Sequence, residues 1–276
     1  MKSFKKIEIL YIFLILILVV ITLYPIFLMI SSSVKAEEEI NSTSPTWIPK
    51  NFTLDHYREL FSRYNFGRNM LNSLIIALST TVISVIIGFT AAYGFSRFKF
   101  PGSNIFLIII LLVRLFTPAA LIVPLYDLMS WLGLVDSLVS IIIGVTVINL
   151  PFVLYIMKAF FDDFPRELED AAKVDGSSHF RIFISIVLPC SLPAIATVVL
   201  FSFTLGWNDF LFALSFSQSI RSTPATVAIS MMITGYKIYW GDLMAGGTFL
   251  SIPIVLITLL LQKYFVKGLT MGALKE

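Results

Sequence analysis

Residues 170–189 read Asp170-Ala171-Ala172-Lys173-Val174-Asp175-Gly176, then nine residues, then Ile186-Val187-Leu188-Pro189. The stretch is polar and helix-capable, yet it lies between two long apolar segments. A chain that folds in lipid has little use of its own for such an insert. Its charged surface therefore points to a partner.

The apolar surroundings set the class. Of 276 residues, 57% are hydrophobic and 13% charged. Soluble domains carry about a quarter charged residues, so the deficit indicates a membrane protein. The net charge of +3 fits lysines flanking a bilayer and argues against a nucleic-acid partner. A lone Cys190 excludes an internal disulfide framework and a cysteine-cluster metal site.

A helix needs about 20 apolar residues to cross the hydrocarbon layer, because lipid offers backbone groups no partner. Six stretches qualify: 9–34, 69–96, 104–126, 137–157, 190–216 (within Ile182 to Phe216) and 243–262. Arg114 interrupts the third and Asp209 the fifth. The expected fold is an all-α membrane protein of six transmembrane helices. It forms a single polytopic domain over 1–276, with a helix-turn-helix loop at 162–189. The first span has a competing reading as a cleaved signal peptide. Its apolar run exceeds the roughly 7–15 residues of such a leader.

Basic residues orient the spans. Lys2, Lys5, Lys6, Arg97, Lys99, Lys158, Arg166, Lys173, Arg181, Lys263, Lys267 and Lys275 all fall on one side, which is then cytoplasmic. Both termini are expected there, and so is the insert. On the other side, the loop from Lys35 to Arg68 holds Pro45, Trp47, Pro49 and a periodic stretch from Leu54 to Phe61. It reads equally as a solvated loop with one amphipathic helix or as part of an outer docking surface. The Asn41 and Asn51 triplets fit a glycosylation acceptor, a short and common pattern. His56 and His179 fall on opposite sides, which argues against a metal pair.

Within the insert, Pro165 suits a first helical turn, and Glu167, Glu169 and Asp170 favour the positive end of the helix dipole. Gly176 is placed to end that helix in a left-handed turn, and Ser177 or Ser178 to cap the next. Pro189 is expected to break the second helix. Leu168, Ala171, Ala172 and Asp175 share one face, where small residues admit a close neighbour and carboxylates can pair with arginines. On physical grounds alone, a docking surface and a helix lying on its own bundle are equally good readings.

Asp170-Ala171-Ala172, Gly176 and Ile186-x-Leu188-Pro189 resemble the signature loop of ABC-transporter permeases of the binding-protein-dependent import class. The family's glutamate corresponds to Asp170, one methylene shorter, with Glu169 adjacent. Ala91 to Gly102, Arg114 to Pro118, Pro124 to Tyr126, Trp207 to Phe210, Trp240 to Asp242 and Gln262 to Thr270 resemble carbohydrate permeases in the same order, so the likeness covers nearly the whole chain. It is nearest in type to the second permease of maltose- and disaccharide-type importers.

The resemblance implies a multi-pass permease in the inner or plasma membrane of a prokaryote. It implies pairing with a second homologous permease, a dimer of ATPase subunits and an extracytoplasmic sugar-binding protein. The coupling loop would comprise Glu169, Asp170, Ala171, Ala172, Asp175, Gly176, Ile186, Leu188 and Pro189. No cofactor would be bound by this chain; ATP and Mg would belong to the ATPase. The sequence holds no Gly-x-x-x-x-Gly-Lys-Ser/Thr loop, His-Glu-x-x-His or Gly-x-Ser-x-Gly, so no catalytic residue or metal ligand is expected.

Ionisable groups at membrane depth default to functional candidates. Arg114 reads as lining a path, pairing with Asp209 or fixing helix register. Trp207, Asn208 and Asp209 read as stacking on and hydrogen-bonding a sugar, or as an interfacial belt. Asn149 beside Pro151 reads as lining the path or bonding a neighbouring helix. Two other functions remain: an ion-coupled secondary transporter, for which no inverted repeat is visible, and an ABC permease for another solute such as glycerol phosphate.

Overall fold

The computed structural model describes residues 2–44, 46–98 and 100–273. Pro45, Lys99 and Lys275 lie outside the described residues, as do the side chains of Lys2, Lys5, Lys6 and Lys267. In chain order the helices are α1 (Lys2–Ser33), α2 (Glu37–Ile40), α3 (Asp55–Arg63), α4 (Phe66–Arg97), α5 (Ser103–Leu112), α6 (Pro118–Trp131) and α7 (Leu138–Asp163). They continue as α8 (Arg166–Val174), α9 (His179–Ile182), α10 (Leu188–Cys190), α11 (Leu192–Trp207), α12 (Leu211–Phe216), α13 (Ala225–Ser230) and α14 (Trp240–Ala273). Among the described residues there is no strand, and pairing is limited to two isolated bridges.

Helices α1, α4, α7 and α14 are each long and apolar enough to cross a membrane. Two bent pairs supply the rest. The third span is not the single helix expected over 104–126. Ser103–Leu115 and Pro118–Trp131 meet at 105°. Proline forces the residue before it out of helical conformation, and Thr117 is extended with φ −66° and ψ 143°. The fifth span bends too, by 73° between His179–Cys190 and Leu192–Trp207. Its break falls at Ser191, not at Pro189 as expected. Pro189 and Pro193 each lack an N–H, so two carbonyls one turn apart lose their helical donors. A π-helical turn over Phe183–Val187 takes up the first loss. With each bent pair counted once, the spans number six.

Backbone contacts divide the chain into two compact units, Met1–Gly67 with Ala228–Ile252 and Arg68–Val227 with Pro253–Glu276. The larger unit holds two apolar clusters. One joins Phe89 and Tyr93 of α4, Val153, Met157 and Phe161 of α7, Ile182 and Val187. The other joins Met129, Ile141, Val145, Phe212 and Phe216. Small residues let the helix backbones close up, as is common where lipid gives no hydrophobic drive to associate. A β-carbon on Gly206 would stand 3.0 Å from the Cα of Ala77, and one on Gly88 would stand 2.6 Å from a methyl of Val153.

The smaller unit is knitted by polar bonds. The Lys35 ammonium donates to the Thr46 carbonyl. Glu39 accepts from the Thr46 hydroxyl and, at 3.1 Å, from the Lys50 N–H. The amphipathic helix expected near Leu54 to Phe61 is α3, which buries Leu60 and His56. The His56 ring bridges Asp242 Oδ1 through Nδ1 and the Lys35 carbonyl through Nε2, both at 2.9 Å. Both partners are acceptors, so both ring nitrogens donate and the imidazolium form is favoured. The hydrogen bond to Asp242 is the largest cause raising its pKa above the usual 6.5. Nearby, burial and the same carboxylate push the Tyr64 hydroxyl up to about 12.

Two outcomes follow. Gly206→Val should destabilise the chain by about 1–3 kcal/mol through overpacking. Gly94→Ala, with nothing within 4 Å of the added atom, should shift stability by less than about 1 kcal/mol; chemical unfolding in detergent compares them. Because folding raises the His56 pKa, its stabilisation is complete below pH 6.5 and is lost as pH climbs through the folded value. Thermal melts should therefore fall with rising pH above 6.5, and His56→Gln should flatten that slope.

Candidate functional site

The insert is built as two short helices around a left-handed turn. Pro165 stands just ahead of α8 rather than inside its first turn. Gly176 has φ +79°. Its N–H donates to Lys173 and that of Ser177 to Ala172, both at 3.0 Å. These bonds satisfy the last carbonyls of α8 in the paired pattern that requires glycine at this position. Nothing lies within 4 Å of an added β-carbon there, so the restriction is conformational, not spatial. The Ser178 hydroxyl accepts from the Arg181 N–H at 3.3 Å and caps α9.

The acidic pair of α8 is split between two environments. Glu169 is 3% exposed. One of its oxygens accepts from Arg97 Nε at 2.7 Å and the other from the Tyr93 hydroxyl at 2.8 Å. Arg97 also donates to the Ser96 hydroxyl and to the carbonyls of Phe161 and Phe164, at 3.0, 2.7 and 3.2 Å. Removing one member of such a buried pair typically costs about 3–5 kcal/mol. Asp170 is exposed, and its bond to Lys173 at 2.7 Å holds its carboxyl below the usual range. Of the two carboxylates, Asp170 is thus the one free to meet another molecule.

The face expected to carry Leu168, Ala171, Ala172 and Asp175 is divided as well. Leu168, Ala171 and Asp175 are exposed. Ala172 turns inward and packs against the cluster of Phe89, Tyr93 and Phe161. Ile186 and Leu188 pack against that same cluster, and Pro189 is exposed at the far end of the insert. Two exposed apolar residues join the outer face that the motif did not include: Val174 at 88% and Phe180 at 76% exposure. Their signal in the sequence was an apolar side chain in a polar segment.

The residues at membrane depth fall into three places. Asn208 and Asp209 line a cavity of about 470 Å³ with Pro118, Ile148, Phe201 and Thr204. Within it, Asp209 Oδ2 accepts the Ala213 N–H at 2.9 Å and so caps the first turn of α12. Trp207 does not line the cavity; it is 1% exposed and stacks on Phe203 at 5.8 Å. Asn149 is buried in α7. Arg114 does not pair with Asp209. Its Nη1 donates to the Ile148 carbonyl at 3.3 Å, and its guanidinium lies 5.4 Å from the Phe152 ring centroid. Ile148 adjoins Val147, whose carbonyl has no N–H to accept from at Pro151.

Fold and insert together define a polytopic helical membrane component. Residues 84–271 match the family described as binding-protein-dependent transport system inner membrane component, and the chain belongs to that family, the permeases of ABC transporters. It is 36% identical over 231 residues to a trehalose transport system permease protein of Mycobacterium tuberculosis, covering 83% of this chain and 84% of that one. It is 34% identical to a trehalose/maltose transport system permease protein of Thermococcus litoralis, covering 94% of each. A crystal structure of a bacterial ABC transporter involved in the import of the acidic polysaccharide alginate contains a chain of the same fold. There the TM-score is 0.80 with 22% identity, over 96% of this chain and 98% of that one.

The split face generates a paired outcome. Ala172→Leu should lower stability by about 1–3 kcal/mol by overpacking the cluster. Ala171→Leu, on the open face, should change it by less than about 0.5 kcal/mol. Detergent-solubilised chains melted side by side measure the difference.

Proposed function

We propose that residues 1–276 act as one permease domain, the second of two related membrane subunits in an ATP-driven importer. The solute is a sugar, of di- or oligosaccharide size, handed over by an external binding protein. Names of relatives that specify trehalose, or trehalose and maltose, support the sugar. Both termini and the insert face the cytoplasm in this reading, and a separate ATPase subunit holds ATP and Mg.

The observation that carries the reading is the outer face of the insert. Leu168, Ala171, Val174 and Phe180 stand exposed on an otherwise polar element, beside the exposed carboxylates of Asp170 and Asp175. Exposed apolar groups ringed by charge mark a protein contact. ATP binding would draw the ATPase dimer together, take the insert with it and shift the helices between inward- and outward-facing arrangements. Along the path, Asn208 and Asp209 offer hydrogen bonds in a cavity whose other walls are mostly apolar. Such a lining suits a sugar, which presents hydroxyls on its rim and C–H groups on its faces.

Phe180→Asp and Ala171→Leu should each release the ATPase subunit during co-purification and abolish uptake. The fold should hold, with stability within about 0.5 kcal/mol of the parent. Full retention of the ATPase by both variants would sink the proposal.

A further inference from the structure

We propose that Arg97 is the strut through which movement of the insert reaches the membrane helices, a positioning residue that acts through Glu169. The inference rests on the reading above, in which an ATPase subunit docks on the insert.

Three elements meet at one guanidinium. Arg97 is the last residue of α4. Its Nε is bonded to Glu169 of α8 at 2.7 Å. Its two Nη groups reach the carbonyls of Phe161 and Phe164 at 2.7 and 3.2 Å. Those carbonyls close α7, where the Phe161 carbonyl keeps only a long bond of 3.3 Å from the Phe164 N–H and the helix dipole favours a cation. A single side chain therefore pairs α8, caps α7 and terminates α4.

Neighbouring bonds stiffen the joint. One turn earlier on α4, Tyr93 holds the second oxygen of Glu169. Arg166 of α8 donates to the Ser96 carbonyl at 3.1 Å, and the Ser96 hydroxyl donates to Asp162 at 2.7 Å. Tyr93, Phe161 and Phe164 are themselves core residues, so water is kept from one side of the pair. The arginine and glutamate side chains are 8% and 4% exposed.

Load placed on the outer face of α8 has two routes inward. Apolar packing of Ala172 and Phe183 against the cluster is one. Such contact is non-directional and lets surfaces slide. The ionic joint is the other, and a planar fork bonded on several sides resists both sliding and rotation. A lysine would keep the charge at Arg97 but lose the fork.

The test uses the complete complex in proteoliposomes, with Arg97→Lys and Glu169→Gln. Three quantities are read: retained ATPase subunit, ATP hydrolysed and sugar moved. Both variants should keep the ATPase and hydrolyse ATP, while sugar moved per ATP falls about tenfold, within the usual range of coupling effects. An unchanged ratio would overturn the strut, and so would loss of the ATPase subunit from either variant, which would place the pair in docking and not in transmission.

A second measurement needs no ATPase. Spin labels at Leu168→Cys and Ile86→Cys, in a Cys190→Ser background of the whole chain, report the spacing of α8 and α4. The parent should give one narrow distance and Arg97→Lys a broad one; equal widths would also overturn the strut. If the parent retains no ATPase subunit, the proposed function falls, and the label distances alone decide for or against the strut.

Discussion

Hydrocarbon offers no partner to a backbone carbonyl, so a proline, which removes a helical donor, is where a span can bend. Pro118 ends a helix and turns the chain through 105°. Near Pro151, Arg114 of another span donates to the Ile148 carbonyl, one residue beyond the carbonyl that the proline deprives. The carbonyl that Pro189 deprives is that of Ser185, inside the π-helical turn over Phe183–Val187. The two bent spans both break beside a proline, Pro118 in the third and Pro193 in the fifth. An arginine at membrane depth, which by default suggests a transport path, is here a backbone donor.

The same need for partners explains why the insert is firm although it is polar. A helix of nine residues has no stability of its own in water. Helix α8 is held because Glu169 is buried in a pair and Ala172 in an apolar cluster, while its remaining side chains point outward. The motif is therefore two superposed patterns. One fixes the helix to the membrane body, and the other presents a surface. Glu169 and Asp170 are adjacent and chemically alike, yet the helical turn between them puts one in each pattern.

Much of this was legible in the sequence. The apolar stretches correspond to the four long apolar helices and the two bent pairs, Gly176 and Ser178 marked the turn and cap of the insert, and the period of α3 showed its buried face. The bends were not legible, because composition and periodicity report where apolar residues lie and not where a proline redirects the axis. Arg97 was counted as one of many flanking charges, since nothing local distinguishes an arginine that caps a distant helix from one that meets headgroups. His56 and Asp242 are 186 residues apart, too far for any spacing rule. Trp207 was read by residue type as a sugar platform or part of an interfacial belt, but a tryptophan beside a glycine in a helix crossing is equally a core residue, and its burial and stacking on Phe203 make it one here.

Polar groups inside the helix bundle bear on how it could move. Thr80 and Ser84 of α4, Asn149 of α7 and Ser202 of α11 are all buried, and each has a side-chain polar atom with no hydrogen-bond partner among the described residues. Packing among these helices is close, as Gly206 against Ala77 and Gly88 against Val153 require. Their hydrogen bonding is incomplete all the same. A buried hydroxyl left unpaired costs about 1–3 kcal/mol, so these groups weaken the packing of the three helices. A rearrangement that paired those groups would recover part of that cost and offset packing given up elsewhere. Two packings of similar energy are what a two-state carrier needs. The polar groups that weaken one packing of α4, α7 and α11 lie on the helices to which the insert is joined.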